Sequence, residues 1–294
     1  VYMGQVVQAG AGQNPARQSA LAAGIPLNVP AMTINKVCLS GLTAVIDAAR
    51  LIRLGEADVV VAGGQESMTH APHLLPGARK GFKYGPATML DAVAWDGLTD
   101  SLSHEAMGEL TESGNGERNI ARAEQDEVAA ASHQRAARAQ SEGVFEGEIA
   151  PVEIPQRKGD PLVVSQDEGV RPDTTAESLG ALRPAFAKDG TITAGNSSPL
   201  SDGAAALVVT SRAFAEEKGL TILATVGAPG QTAGPDSSQL HSQPSDAIAA
   251  AVRKQGWDVA DLDFIEINEA FGAVAVQSLR DLGYPHEKTN IHGG

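Results

Sequence analysis

The chain has a single cysteine in 294 residues, so no disulfide can close within it and nothing marks an oxidising compartment. Aromatic residues are scarce at 4%, whereas glycine numbers 32, a mix that suits helices packed tightly on sheets. Cations are also short. The 22 Lys and Arg stand against 36 Asp and Glu, giving a formal net charge of -14. That balance excludes general binding to nucleic acid or to an anionic membrane surface, because both reward clusters of Lys and Arg. An anionic ligand would have to be met by local basic groups. No apolar run approaches the roughly 18 residues of a membrane span. There is no P-loop, and no G-x-G-x-x-G lies between a strand and a helix. The seven histidines set up no metal site: His70 and His73 lack a Cys or carboxylate at ligand spacing, His133 lies on a polar helix face open to solvent, and the rest are scattered.

What is present is an alternation of strands and helices. "AMTINKV" reads as a short strand ending at Cys38, after which Leu42, Val45, Ile46 and Ala49 recur at helical spacing up to a stop at Gly55. "DVVVAGG" follows as a strand from Asp58 to Ala62 too apolar for a wet face, so the unit predicts a parallel pair with a right-handed crossover. From Ser67 to about Ser198 the texture turns loop-rich, with Arg79, Lys80 and Lys83 close together and a helix in "EQDEVAAASHQRAARAQSEG" whose charges follow the helix dipole. "IPQRKGDPLVVSQDEGVRPDTT" reads as turns, and "DGAAALVVTS" as a return to the core over Ala204 to Thr210. "DFIEINEAFGAVAVQSLRDLG" followed by "TNIHGG" repeats the opening order of strand, turn, helix and strand, which suggests an internal duplication. Both ends fall inside strand-like stretches, and the chain is expected to be cut at each.

Cys38 is the first candidate for chemistry. A thiol attacks as its thiolate, and the positive end of a helix lowers its pKa. Cys38 sits between a predicted strand end and a predicted helix start, where backbone N–H groups could also hold the oxyanion of an attacked thioester. The competing reading is a small buried residue of no chemical role, and this context leaves the two side by side. Asn268, in "NEAFG", stands at the matching turn of the second part and could hold a water or a carbonyl; it could equally be an N-cap. "TAGNSSPLSDG" is a Gly/Ser turn that could offer amides and hydroxyls to a ligand, or be only a turn.

Seven motifs occur together in one order: "GQVVQAGAGQNPARQ", "NKVCLSGLTAV", "VVVAGGQESMTHAPHLLPGAR", "DGLTD…MG", "TAGNSSPLSDGAAA", "NEAFG" and a terminal "GG". In this set the chain resembles the thiolases, of the short-chain acetyl-CoA acetyltransferase type, over nearly its whole length. The resemblance implies an α/β fold of two related halves in a five-layer α-β-α-β-α stack with an inserted loop domain. It places the N-terminal half at 1–67 plus 201–221, the inserted coenzyme A-binding loop domain at 68–200 and the C-terminal half at 222–294. It implies that Cys38 is the acylated nucleophile and that Asn268 holds an oxyanion-hole water. It sets Arg171, Ala194 and Ser198 against coenzyme A, and Leu98, Met107, Phe186 and Phe271 along the pantetheine and acyl pocket. Four positions depart from the family pattern: Ala106 stands where His is usual, Pro199 where Gly is, Gly272 where Ala is, and His292 where Asn is.

The activity so implied is Claisen condensation of two acetyl-CoA, or the reverse thiolysis, through an acyl-cysteine. Coenzyme A and acyl-CoA would be substrates, with no permanently bound cofactor. The family pattern further implies a cytoplasmic homodimer or homotetramer. Two other readings are kept: a broader 3-ketoacyl-CoA thiolase of fatty acid degradation, and a non-catalytic coenzyme A-binding remnant. A decarboxylating condensing enzyme shares the Cys at a helix start, but "NEAF" and "GNSS" favour thiolase. The family's acid/base His and second Cys are expected after Gly294, and residues 1–294 alone are expected to be inactive.

Overall fold

Three glycines let a helix lie directly on a sheet. A side chain at Gly4 would stand 2.4 Å from the Gly41 amide nitrogen, and the α-carbons of Gly41 and Gly64 face each other with room for little else. The architecture around this contact is seen in a computed structural model that describes residues 1–235 and 237–294. In chain order its elements are β1 (Tyr2–Gly4), α1 (Pro15–Ala22), β2 (Met32–Ile34), α2 (Ser40–Leu54), β3 (Val59–Ser67), and the strands β4 (His73–Leu74) and β5 (Leu90–Asp91) of a hairpin. Helices α3 (Met107–Glu117) and α4 (Arg122–Ser141) follow, then a second hairpin of β6 (Val152–Ile154) and β7 (Leu162–Val164), and α5 (Ala176–Gly180). The chain continues through β8 (Asp202–Thr210), α6 (Arg212–Glu217), α7 (Gln243–Gln255) and α8 (Gly272–Leu282).

The chain forms two compact units, residues 1–106 with 200–229, and residues 107–199 with 230–294. In the first, a sheet of order β2-β1-β3-β8 carries α2 on one face. The expected parallel pairing of β2 with β3 is corrected: β1 lies between them and is parallel to both. Strand β8 runs antiparallel to β3 over its whole length, from Val59 opposite Thr210 to Ser67 opposite Asp202. Ala44, Ala48, Val60 and Ala62 form the buried seam between helix and sheet. Leu42, expected on the packed face of the helix, is 62% exposed instead. The close glycine approach leaves space there only for alanine. The strand β3 has a wet face after all, since Val59 is exposed, and so is most of β8. The helix stops as expected at Gly55, whose φ of 71° is the left-handed conformation that glycine adopts without strain.

In the second unit α4 runs through the predicted helical stretch, beside α8 and α5. Its hydrophobic cluster joins Ile120, Val128, Ile192, Phe271 and residues 273–276, with Met107 and Phe186 packed on the outside. The turn-rich stretch after Ile149 contains the β6–β7 hairpin, which the reading as turns missed. The strand expected over "DFIEIN" is reduced to one parallel bridge, Ile265 to Thr289, and "TNIHGG" is a turn. Asn290 marks the place where the pairing gives way. Its backbone takes φ of 47°, which ends any strand, and its side-chain amide replaces the missing backbone partners. Among the described residues no helix is long and apolar enough to cross a membrane.

Candidate active site

The nucleophile candidate stands on a strained turn. Val37, the residue before Cys38, has φ of 51°, a region that a β-branched residue enters only when its surroundings hold it there. Three hydrogen bonds do so. The Val37 amide donates to Asn35 Oδ1 at 3.0 Å, the Ser40 hydroxyl donates to the Val37 carbonyl at 2.5 Å, and the same hydroxyl accepts from the Lys36 amide at 2.8 Å. Ser40 is buried under Gly4, whereas Val37 and Cys38 are exposed. The clasp thus lifts the only thiol of the chain into solvent from a buried foundation.

The electrostatics differ from the expectation. The helix begins at Ser40, two residues past Cys38, and the Leu39 and Ser40 amides are spent on the Lys36 and Val37 carbonyls. Although the side chain is exposed, loss of water around the sulfur pushes the Cys38 thiol above its ordinary value, with its own backbone N–H pulling the other way. The expected lowering by the helix start is therefore absent in this state.

Leu98 belongs to the same unit. It closes a wide helical turn, Val93–Leu98, whose Gly97 lies against Val6 and Val7 beyond the end of β1. His104, in the loop that follows, stacks on Trp95 with centroids 6.1 Å apart, and Thr99 pairs with Ala106.

The second unit brings most of the other predicted residues together. The "TAGNSSP" and "NEAFG" turns pair in antiparallel fashion: Ser197 bridges Phe271, the Ser198 amide donates to the Ala270 carbonyl at 3.0 Å, and the Gly272 amide to the Asn196 carbonyl at 2.8 Å. Ala194, Ser198 and Asn268 are all exposed on these paired turns, and Phe271 points into the core beneath them. Phe186 meets Phe271 edge to face at 6.0 Å, a contact worth about 0.5–1.5 kcal/mol beyond its area. Gly108, beside Met107, admits the Phe186 ring, since a side chain there would stand 2.2 Å from it. Met107, Phe186 and Phe271 therefore meet in the hydrophobic cluster of this unit.

Arg171 is exposed in the loop before α5, on the rim of a surface depression of about 420 Å³ formed by Val170 to Thr174 and Ser178. Its backbone amide donates to His133 Nδ1 at 3.2 Å. His133 is thus half-buried and partnered, not solvated; burial and the Arg171 charge hold it below the usual histidine value.

Two supports were missed in the sequence. Asn196, fully within the "GNSS" turn, donates to Asp126 Oδ1 at 2.8 Å, and Asp126 pairs with Arg122 at 2.6 Å, so the turn is wired to α4. Glu112 of α3 accepts from the Thr191 amide and hydroxyl and from the Ile192 amide, fixing the segment that leads into that turn. The signal available was a Gly/Ser turn preceded by Thr-Ile-Thr. Nothing local names a carboxylate some 80 residues away in sequence as its partner. Among the described residues, no group of His, Cys, Asp and Glu is arranged to hold a metal ion.

Comparison with known proteins covers the whole chain. The family model "Thiolase, N-terminal domain" matches residues 1–213, and "Thiolase, C-terminal domain" matches residues 220–294. The chain is 59% identical over 294 residues to a probable acetyl-CoA acetyltransferase of Mycolicibacterium smegmatis, covering 100% of itself and 76% of that relative. It is 50% identical to the acetyl-CoA acetyltransferase of Cupriavidus necator, covering 75% of it. The crystal structure of the Bacillus anthracis acetyl-CoA acetyltransferase superposes with a TM-score of 0.94 at 41% identity, over 100% of this chain and 74% of that one.

Proposed function

Because the chain belongs to the thiolase family, we propose that it works as an acetyl-CoA C-acetyltransferase, joining two acetyl-CoA into acetoacetyl-CoA and reversing that reaction by thiolysis. The observation that carries the chemistry is Cys38, the one thiol of the chain, held out on a clasped turn at the mouth of a helix. In the first step the Cys38 sulfur forms a bond to the thioester carbonyl carbon. The bond from that carbon to the coenzyme A sulfur breaks, and coenzyme A leaves as its thiol with the proton that Cys38 gives up. In condensation, a second acetyl-CoA loses a proton from its methyl carbon. That carbon attacks the acyl-cysteine, and the cysteine sulfur leaves as its thiol, which accounts for the proton lost from the methyl carbon. In thiolysis the order is reversed, with Cys38 attacking the 3-keto carbon.

Asn268 holds the water that stabilises the oxyanion in this reading, supported by its exposed place on a turn that is paired and anchored. In this reading, and by the family pattern, Ala194, Ser198 and Arg171 contact coenzyme A, and Leu98, Met107, Phe186 and Phe271 serve its pantetheine and acyl end. Coenzyme A is a substrate here, not a resident cofactor. Residues 1–67 with 201–221 make the first thiolase half, 68–200 the inserted loops and 222–294 the second half. The protein acts in the cytoplasm as a homodimer or homotetramer, a reading that rests on the family pattern.

Thiolysis of acetoacetyl-CoA by the full-length protein, followed by loss of the substrate's enolate absorbance, tests the assignment. Replacing Cys38 by Ser should lower turnover by at least about a thousandfold, since a catalytic unit without its nucleophile keeps only binding and oxyanion effects. Turnover within a few-fold of the native rate would remove Cys38 from the mechanism.

A further inference from the structure

The loop that presents Asn268 is gripped by a side chain of the segment packed beside it. Residues 263–267 approach as an extended segment, and Ile265 is bridged to the chain beside it, donating to the Lys288 carbonyl at 3.0 Å and accepting from the Asn290 amide at 2.9 Å. At the next inward position, Ile267, the neighbouring chain has already turned away. The Asn290 side chain takes over. Its Oδ1 accepts from the Ile267 amide at 2.8 Å, its Nδ2 donates to the Ile267 carbonyl at 2.9 Å, and the same Nδ2 donates to Glu269 Oε1 at 2.6 Å. These contacts fall on the residues immediately before and after Asn268. Asn290 is wholly buried, so no water competes for them.

The grip has its own support. Asn290 sits at φ of 47°, and asparagine is among the few residues that enter this region readily. Arg135 of α4 fixes the segment from behind, donating to the Thr289 carbonyl at 2.6 Å and to the His286 carbonyl at 3.1 Å. The anchoring thus runs from α4 through Arg135 to the 286–290 loop, and from Asn290 to both flanks of Asn268.

We propose that Asn290 is a positioning residue for Asn268: one amide side chain imitates a strand partner for Ile267 and tethers Glu269, fixing the backbone from which the Asn268 amide meets the oxyanion water. The inference rests on the role given to Asn268 above. It asks more than stability of Asn290, because a misplaced donor costs catalysis where a loosened core costs only folding free energy.

The test is steady-state thiolysis of acetoacetyl-CoA by the full-length protein, with a melting curve for each variant. Asn268→Ala is read first. It should lower kcat on the order of a hundredfold or more, as loss of an oxyanion donor does. If it leaves kcat unchanged, the role of Asn268 falls and the role of Asn290 falls with it. Asn290→Gly keeps the left-handed backbone without strain and removes only the amide. Asn290→Asp keeps the size and the acceptor but loses the donor, and reads the same question should the glycine variant not fold. Both should lower kcat on the order of tenfold to a hundredfold with little change in KM. In the Asn268→Ala background neither should lower kcat further, since the two residues act as one unit. Retained kcat with only a lower melting temperature, or losses that multiply in the double variants, would overturn the proposal.

Discussion

Burial sets the protonation of Glu269, next to the proposed oxyanion residue. Loss of water pushes its carboxyl above the ordinary range, against the pull of Ser132, Asn290 and Arg135. The consequence for stability has a definite sign. Between the ordinary carboxylate value of about 4.3 and the raised one, the folded chain keeps a proton that the unfolded chain has released. Stability from this group is therefore present below that window and declines as pH climbs through it. Glu269→Gln keeps Oε1 as an acceptor for Asn290 but cannot ionise, so its melting temperature should fall less than that of the native protein as pH is raised from mildly acidic to neutral. Parallel curves for the two would show that Glu269 is charged in the fold at no cost. At this scale the sequence named Cys38 and Asn268 from their motifs. It gave no sign of the contacts made by Ser40, Asn290 and Glu269, whose importance comes from hydrogen bonds to particular neighbours. The left-handed Val37 was also invisible, because nothing in a valine announces positive φ.

Among the elements, the junction of α2 with the sheet is the one that places Cys38. A Cβ on Gly4 would lie 2.4 Å from backbone atoms of Ser40 and Gly41, whereas one on Gly64 would meet Gly41 at 3.4 Å. Backbone cannot move aside as a side chain does. Gly4→Ala should therefore destabilise by about 3 kcal/mol or more and slow acylation of Cys38, while Gly64→Ala should cost within about 1 kcal/mol. Chemical denaturation of the two variants, with matched labelling of Cys38, reads both effects. Equal and small losses would mean that helix and sheet are not in close contact. The helix itself was legible in its apolar recurrence and in Gly55. Its packed face was not, because Ala44 and Ala48 carry a weak hydrophobic signal while Leu42 and Ile46 carry a strong one. The same limit explains the other differences. A hairpin of three-residue strands, as in β6 and β7, leaves too short an alternation to detect. An extended segment gripped by a side chain, as at Ile267, shows its apolar residues but not the side chain that holds it.

For the molecule as a whole, the fold follows from the ensemble of motifs and not from any of them singly, and each of its two compact units carries part of the proposed machinery: Cys38 and Leu98 in one, the remaining predicted residues in the other. Met107, Phe186 and Phe271, which pack together in the second unit, are the side chains proposed to set the size of the acyl group. The specificity constant should be highest for acetoacetyl-CoA and decline stepwise with each added carbon pair, because a methylene misfit is worth only about 1–3 kcal/mol. Equal constants for four-carbon and sixteen-carbon substrates, on the order of chain lengths that such a pocket must distinguish, would place those side chains in the core alone. The central claim, an acyl group carried on Cys38, is open to direct measurement. The full-length protein is mixed with acetyl-CoA, quenched in acid, digested and examined by mass spectrometry. The account predicts one acetyl group on the peptide that contains Cys38, removed when free coenzyme A is added before the quench. An active protein whose Cys38 peptide remains unmodified throughout would contradict it.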